Sequence, residues 1–299
     1  MNEPSPDRPS GMPHAIGAYL IWGFLPLYLK MVSHIPPIEF VGWRVICTLP
    51  FCLIVLAFRG ELAHLGRALT NRRVLPLLLL SALLIGGNWL IYVVAIQEGH
   101  VLAASLGYYI NPLVNVLLGT VFLKERMTRP QWLAVALASI AVSLLAWGAQ
   151  DMLGISLSLA GTFAAYGLVR KFTPVGGVDG LTVESLLLLL PAIGLVIWFA
   201  LSPAGIHFGQ DWQTTLLIVG AGAFTAIPLI LFAIAARRLD FSTLGFIQFV
   251  APTLTFLTAV VVFKEPLRPL QMACFLLIWT AIAIFSWDMW RRRDLKAGR

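Results

Sequence analysis

The sequence predicts an all-α integral membrane protein whose ten transmembrane helices form two inverted repeats of five. Three observations carry that expectation. First, 59% of the residues are hydrophobic and only 12% charged, with a mean hydropathy of +0.86, where a soluble domain carries about 25% charged residues. Second, ten apolar stretches approach the roughly 20 residues that a helix needs to cross the hydrocarbon core. Third, from about residue 81 onward the chain matches itself after a shift of 140 positions. Pro112 falls on Pro252, Lys124 and Glu125 on Lys264 and Glu265, Gln131 on Gln271, Ala141 on Ala281, and Trp147 on Trp287. A unit with an odd number of spans ends on the opposite face from its start, so the second copy is inverted. Inverted repeats recur in secondary transporters, because the pseudo-twofold axis makes the two access states near mirror images.

The elements follow in order. Residues 1–13 are polar, contain Pro4, Pro6, Pro9 and Pro13, and form a cytoplasmic tail. They lack a charged leader and a small-residue cleavage site, so the first span is expected to stay uncleaved. The first repeat, 14–149, holds spans at 14–32, 36–58, 74–97, 102–123 and 131–149. The second, 152–289, holds spans at 152–170, 181–202, 213–236, 241–263 and 270–289. A basic cytoplasmic tail, 290–299, closes the chain. The connections are short and leave no room for an extramembrane domain.

Basic residues near span ends stay in the cytoplasm. With the N-terminus inside, seventeen Lys and Arg fall on inner segments and three (Lys30, Lys264, Arg268) on outer ones, while Arg44 lies within a span. Both termini are therefore expected in the cytoplasm, in a multi-pass protein of the cell inner membrane. The basic residues are scattered over short loops and form no single face, which argues against nucleic acid as a partner. Cys47, Cys52 and Cys274 fall inside spans without metal-ligand spacing and read as packing residues. The five histidines are dispersed at span ends and loops. The chain has no Walker loop, no His-Glu-x-x-His and no nucleophile elbow. The expectation is no enzyme, no cofactor, no metal and no catalytic residue.

Local strings add detail. They include Trp22-Gly23, Pro26-Leu27-Tyr28, Asn88-Trp89, Tyr92, and Ser105-Leu106-Gly107-Tyr108-Tyr109-Ile110-Asn111-Pro112-Leu113. Later come Glu125-Arg126 with Gln131-Trp132, Tyr166-Gly167-Leu168-Val169-Arg170-Lys171, and Glu184 before a Leu run ending at Pro191. From about Ile16 to Trp287 the chain resembles the RarD-type subfamily of the EamA family, within the drug/metabolite transporter superfamily. The resemblance implies a ten-helix inner-membrane permease; members named RarD are described as chloramphenicol-sensitivity permeases.

Ionisable residues inside a membrane are costly and generally face a cavity or a partner. Arg44, eight residues or about 12 Å into the second span, and Lys30, at the outer end of the first, suit an anionic or polar solute. The competing reading pairs Arg44 with Glu39 and lets Lys30 reach the outer interface. Glu39 and Glu184 sit about one turn into the second span of their repeats, on opposite faces. They are candidates for proton coupling, since a carboxylate moved between wet and dry surroundings changes its pKa; the alternative pairs them with Arg44 and with Arg170 or Lys171. Asn88 and Tyr92 share one helical face, and Tyr108, Asn111 and Asn115 another, beside the backbone gap left by Pro112. Each group suits a polar organic solute, or serves as interhelical glue. Pseudo-symmetry adds Gln248, the counterpart of Tyr108. The Lys124-Glu125 and Lys264-Glu265 pairs read as turn and interfacial ion pairs.

The expected solute site is thus Arg44, Asn88, Tyr92, Tyr108, Asn111 and Gln248, with Glu39 and Glu184 for the proton. The expected partners are a small-molecule solute and the lipid bilayer, for a monomer or homodimer. The expected function is secondary active export or exchange of a small organic metabolite or drug-like solute by alternating access. A non-transporting scaffold or sensor with the same fold, and a membrane-embedded enzyme, are the competing classes.

Overall fold

The computed structural model describes residues 11–97, 101–147, 153–203, 205–262, 264 and 269–297. Among these residues there are thirteen helices and no strand. They are α1 (Met12–Gly23), α2 (Leu25–Met31), α3 (Pro37–Phe58), α4 (Leu62–Thr70), α5 (Leu75–Gln97), α6 (Val101–Val121), α7 (Arg129–Trp147), α8 (Leu153–Phe172), α9 (Gly177–Leu201), α10 (Trp212–Arg238), α11 (Phe241–Gln248), α12 (Val250–Val261) and α13 (Pro269–Ala297). Nine stretches are long and apolar enough to cross a membrane, counting α1 with α2 and α11 with α12. Large apolar side chains lie on the outside, among them Leu83, Phe122, Leu190 and Leu201. An aqueous surface of that kind would aggregate, whereas lipid accepts it. The chain is an all-α, multi-pass membrane protein.

Three local features depart from a plain series of rods. The Met12–Met31 span breaks at Phe24 and the Phe241–Val261 span at Phe249, so that each is two short helices. Each break stands just after the residue whose carbonyl a proline ring would strike, Trp22 for Pro26 and Gln248 for Pro252. Pro112, the counterpart of Pro252, sits inside an unbroken α6. Between α3 and α5 the chain forms α4, a helix not expected from sequence. Its Leu65, Ala68 and Leu69 pack with Leu78, Val183 and Leu187. The N-terminal tail to residue 10, the expected turns at 98–100 and 148–152, Glu265 and Arg268 lie outside the described residues.

Packing explains the arrangement of the rest. α3 packs on α9, α7 on α13, and α6 on α11. α6 also meets α8, α5 meets α8 and α9, α10 meets α3, and α1 meets α10, α11 and α12. In the α7–α13 seam, Ala134, Ala138 and Ala141 recur every three or four residues and bring small side chains to one face. They pack with Cys274, Ile278 and Ala281, their own counterparts at the 140-residue shift. The central core joins Tyr19, Tyr166, Phe232, Phe241 and Leu244 from α1, α8, α10 and α11. Where α3 crosses α10, a Cβ on Gly222 would lie 2.3 Å from the Cys47 carbonyl oxygen, so only glycine permits this approach.

Candidate functional site

Arg44 reaches from α3 into the space between α5 and α10. Its Nε donates to Thr225 Oγ1 at 2.7 Å, and its guanidinium lies 4.3 Å from the centroid of the Trp89 ring. The register of α3 that aims Arg44 this way is fixed one turn further on, where Thr48 Oγ1 donates to the Arg44 carbonyl at 2.7 Å and reaches the Gly222 carbonyl at 3.5 Å. Arg44 lines a small cavity with Trp22, Tyr28, Phe40, Phe224 and Thr225. Tyr28 and Phe224 stack at 4.4 Å, and the Tyr28 hydroxyl donates to the Leu217 carbonyl at 2.5 Å, which fixes that wall.

A second small cavity is lined by Asn88, Gly107, Tyr108, Asn111, Leu159 and Phe163. Gly107 is needed here: a Cβ would lie 3.1 Å from the Ser156 carbonyl oxygen and from Leu159 Cβ, so glycine lets α6 approach α8. The two cavities meet at an aromatic wall, where Trp22 packs edge-on against Phe163 at 5.6 Å. Tyr92 lies edge-on to Tyr108 at 6.2 Å. Asn88, Tyr92, Tyr108 and Asn111 are thus brought together, and Arg44 joins them through Trp89. Gln248 lines neither cavity. Its Oε1 accepts from Asn115 Nδ2 at 2.7 Å, across the α6–α11 contact. Asn88 Nδ2 donates to the Leu159 carbonyl and to Thr162 Oγ1, both at 2.9 Å, and Asn111 Nδ2 to the Ala160 carbonyl at 3.3 Å. The amides therefore also tie α5 and α6 to α8. Asn111 Oδ1 is buried without a hydrogen-bond partner beside the cavity.

The two candidate proton carriers have unlike partners. Glu39 is fully buried, yet its Oε2 lies 2.7 Å from His207 Nδ1 while Oε1 accepts from the His207 backbone at 2.7 Å and from Trp43 Nε1 at 3.2 Å. Glu184 lies 3.5 Å from Arg170 Nη1, and accepts from Ser81 Oγ at 2.5 Å and Tyr166 at 3.4 Å. Arg44 does not pair with Glu39, because the carboxylate is turned outward to His207. On the side of Glu184, His64 Nδ1 of α4 lies 3.9 Å from Asp179 Oδ1, in the first turn of α9. Glu61 joins that group, with its atoms and theirs within 4.8 Å, and is itself held by Arg59 at 2.8 Å.

One residue read from sequence as part of an interfacial ion pair does something else. Glu125 accepts from the backbone N–H groups of Phe241 at 2.6 Å and Ser242 at 2.9 Å, and from Ser242 Oγ at 2.6 Å. It caps the N-terminus of α11 from the other half of the chain, satisfying donors that a helix start leaves open. Outside the spans, Asp211 caps α10 by accepting from Thr214 N at 2.7 Å, and that bond holds its carboxyl below the usual carboxylate range. Thr225, the immediate partner of Arg44, went unread, since it lies at no helical spacing from the residue it serves; the contact of Glu184 with Arg170 is the pairing that the sequence offered as an alternative to proton coupling.

The helical bundle, with its lipid-facing surface and its buried polar and aromatic interior, defines a multi-pass α-helical membrane protein. Residues 9–147 match the EamA-like transporter family. Over 92% of this chain and 92% of its own length, an uncharacterized transporter of Pseudomonas aeruginosa is 43% identical. Protein RarD of Salmonella typhi is 44% identical over 92% of this chain and 93% of its own. A protein known from its crystal structure shares the fold at a TM-score of 0.73 and 18% identity, covering 92% of this chain and 96% of that one. The chain belongs to the EamA family, in its RarD-type branch.

Proposed function

We propose that the chain is a ten-helix, inverted-repeat secondary transporter of the inner membrane, moving a small organic solute by alternating access with both termini in the cytoplasm. The observation that carries this is the exchange symmetry of the packing. Exchanging the two halves maps α5–α9 onto α10–α3, α5–α8 onto α10–α1, and α6–α8 onto the contact of α1 with α11 and α12. Lys124 and Lys264, at the same place in the two halves, both take positive φ, at 54° and 57°. A twofold relation of this kind lets one architecture present its centre to either face. The ends of α3 and α9 repeat it: Glu39 meets His207, and Asp179, its counterpart at the 140-residue shift, meets His64. Opening one face while the other stays tied is the movement that alternating access requires.

Of the two carboxylates, Glu39 is favoured as the proton site. Its partner, His207, comes from the other half of the chain, so the contact joins the two halves, whereas the arginine beside Glu184 belongs to the same half as that carboxylate. Glu39→Gln should abolish uptake driven by a pH gradient and spare exchange at equal pH. Equal gradient-driven rates in wild type and variant would make Glu39 structural. The transport reading itself is tested by counterflow in proteoliposomes: saturable exchange of a labelled organic solute is expected, and none across a broad solute panel would favour a scaffold or sensor. A reporter fused after Arg299 should read as cytoplasmic and one inserted near His207 as periplasmic; the reverse at either end would remove the inverted repeat.

A further inference from the structure

We infer that the solute is a monoanion with a flat, apolar body, whose acid group docks on Arg44; this rests on the transport reading above and narrows it. The argument starts from the cations at membrane depth. Arg170 is matched by Glu184, and Lys171 Nζ is held by the carbonyls of Ala236 at 3.1 Å and Leu239 at 2.6 Å. Arg44 differs. Among the described residues no carboxylate lies within salt-bridge distance of it; its contacts are the Thr225 hydroxyl and the face of Trp89. The nearest acid on its own helix, Glu39, is engaged by His207 and Trp43.

A charge in a span without a counter-charge is costly, and a bound anion removes that cost. The geometry fits such a ligand. Thr225 takes Nε, which leaves the two terminal nitrogens without hydrogen-bond partners among the described residues, and their parallel N–H groups match the two oxygens of a carboxylate.

The surroundings set the rest of the molecule. Around Arg44 the wall is Trp22, Tyr28, Phe40 and Phe224, with Thr225 as the other polar group besides the Tyr28 hydroxyl, which is already committed to Leu217. An ammonium group would meet the guanidinium with no carboxylate lining the cavity, which disfavours cations and amino acids alike. An aromatic or otherwise planar apolar body fits the ring-lined wall.

The test uses the full chain in proteoliposomes and three solutes of one shape and different charge: indole-3-acetate, its neutral amide, and cationic tryptamine. Benzoate and benzamide repeat the comparison on a smaller body. The acids should exchange at least about tenfold better than the amides, and tryptamine should not exchange. Because that comparison is made on the unaltered protein, it does not depend on a variant folding. Arg44→Gln should then erase the preference for acid over amide, and Arg44→Lys should keep the preference but weaken affinity about tenfold, since lysine lacks the fork. Exchange of amides or tryptamine at rates equal to the acids, or an acid preference that survives Arg44→Gln, overturns the inference and leaves the transporter reading standing. Absence of exchange for solutes of every charge defeats the transporter reading instead.

Discussion

Glu125 offers the sharpest measurement of how the two halves hold together. Its carboxylate, from the end of the α6 span, carries three hydrogen bonds to the first turn of α11. Glu125→Ala removes the cap and strands two backbone donors and a hydroxyl in a partly buried place. A helix cap is worth about 1 kcal/mol and up to about 2, and an unsatisfied buried donor costs about 1–3 more. Together these put the loss at about 2–5 kcal/mol. At roughly 2–4 °C per kcal/mol for chains of this order, the thermal midpoint in detergent should fall by about 4–20 °C. Glu125→Gln keeps one acceptor oxygen but no charge facing the helix dipole, and should lose about half as much. Gly119→Ala should act in the same direction without touching the acid, because its Cβ would lie 2.5 Å from Glu125 Oε2 and 2.7 Å from Ser242 Oγ. Glu61→Ala is the control, since its pair with an exposed Arg59 is worth only about 0–1 kcal/mol. A Glu125→Ala midpoint equal to that control would refute the cap as a link between halves.

Two further outcomes follow from the charges. Arg170→Leu leaves Glu184 buried and unmatched, which should cost about 3–5 kcal/mol, while the double variant Arg170→Leu, Glu184→Leu should recover most of it; additive losses in a double-mutant cycle would show that the two are not coupled. Asp211 has a depressed pKa, so its contribution is present above the unfolded value of about 3.9 and is lost as pH falls through the lower folded value. The midpoint difference between wild type and Asp211→Ala should therefore be full near neutrality and close on strong acidification, and a difference that stays constant down the titration would contradict the cap.

The fold was legible in sequence where one physical demand dominates. Spanning lipid requires long apolar stretches, and those appear in order; the 140-residue match then pairs Ala134, Ala138 and Ala141 with the residues they meet in the α7–α13 seam. Helix breaks were less legible, because Pro112 and Pro252 sit in matching strings and only the second splits its helix. That outcome depends on neighbours, among them Gly23 of α1, whose Cβ would lie 2.6 Å from Leu254 Cβ. α4 was missed although its apolar residues recur at helical spacing, because nine residues are too few to announce a helix without the surface of α9 to hold them. The partners were the least legible. Glu39 with His207, Glu125 with Ser242 and Arg44 with Thr225 join residues more than a hundred positions apart, and no local spacing encodes such meetings.

Those meetings also sort the acids by what each can do. A carboxylate at membrane depth persists only if something answers its charge, and three different answers occur here: a helix N-terminus for Glu125, an arginine for Glu184 and a histidine for Glu39. The first two tie one helix to another through hydrogen bonds and an ion pair, so the acids they hold serve as joints. The third answer comes from the segment between α9 and α10, near the start of α3, and so joins the two halves of the chain. A contact between halves is the kind that must loosen if access alternates as proposed above. Arg44 stands five residues along the same helix, with no carboxylate at salt-bridge distance among the described residues. In the proposed transport cycle α3 would then carry both signals, a proton at Glu39 and an anion at Arg44, and the movement of one helix would link them.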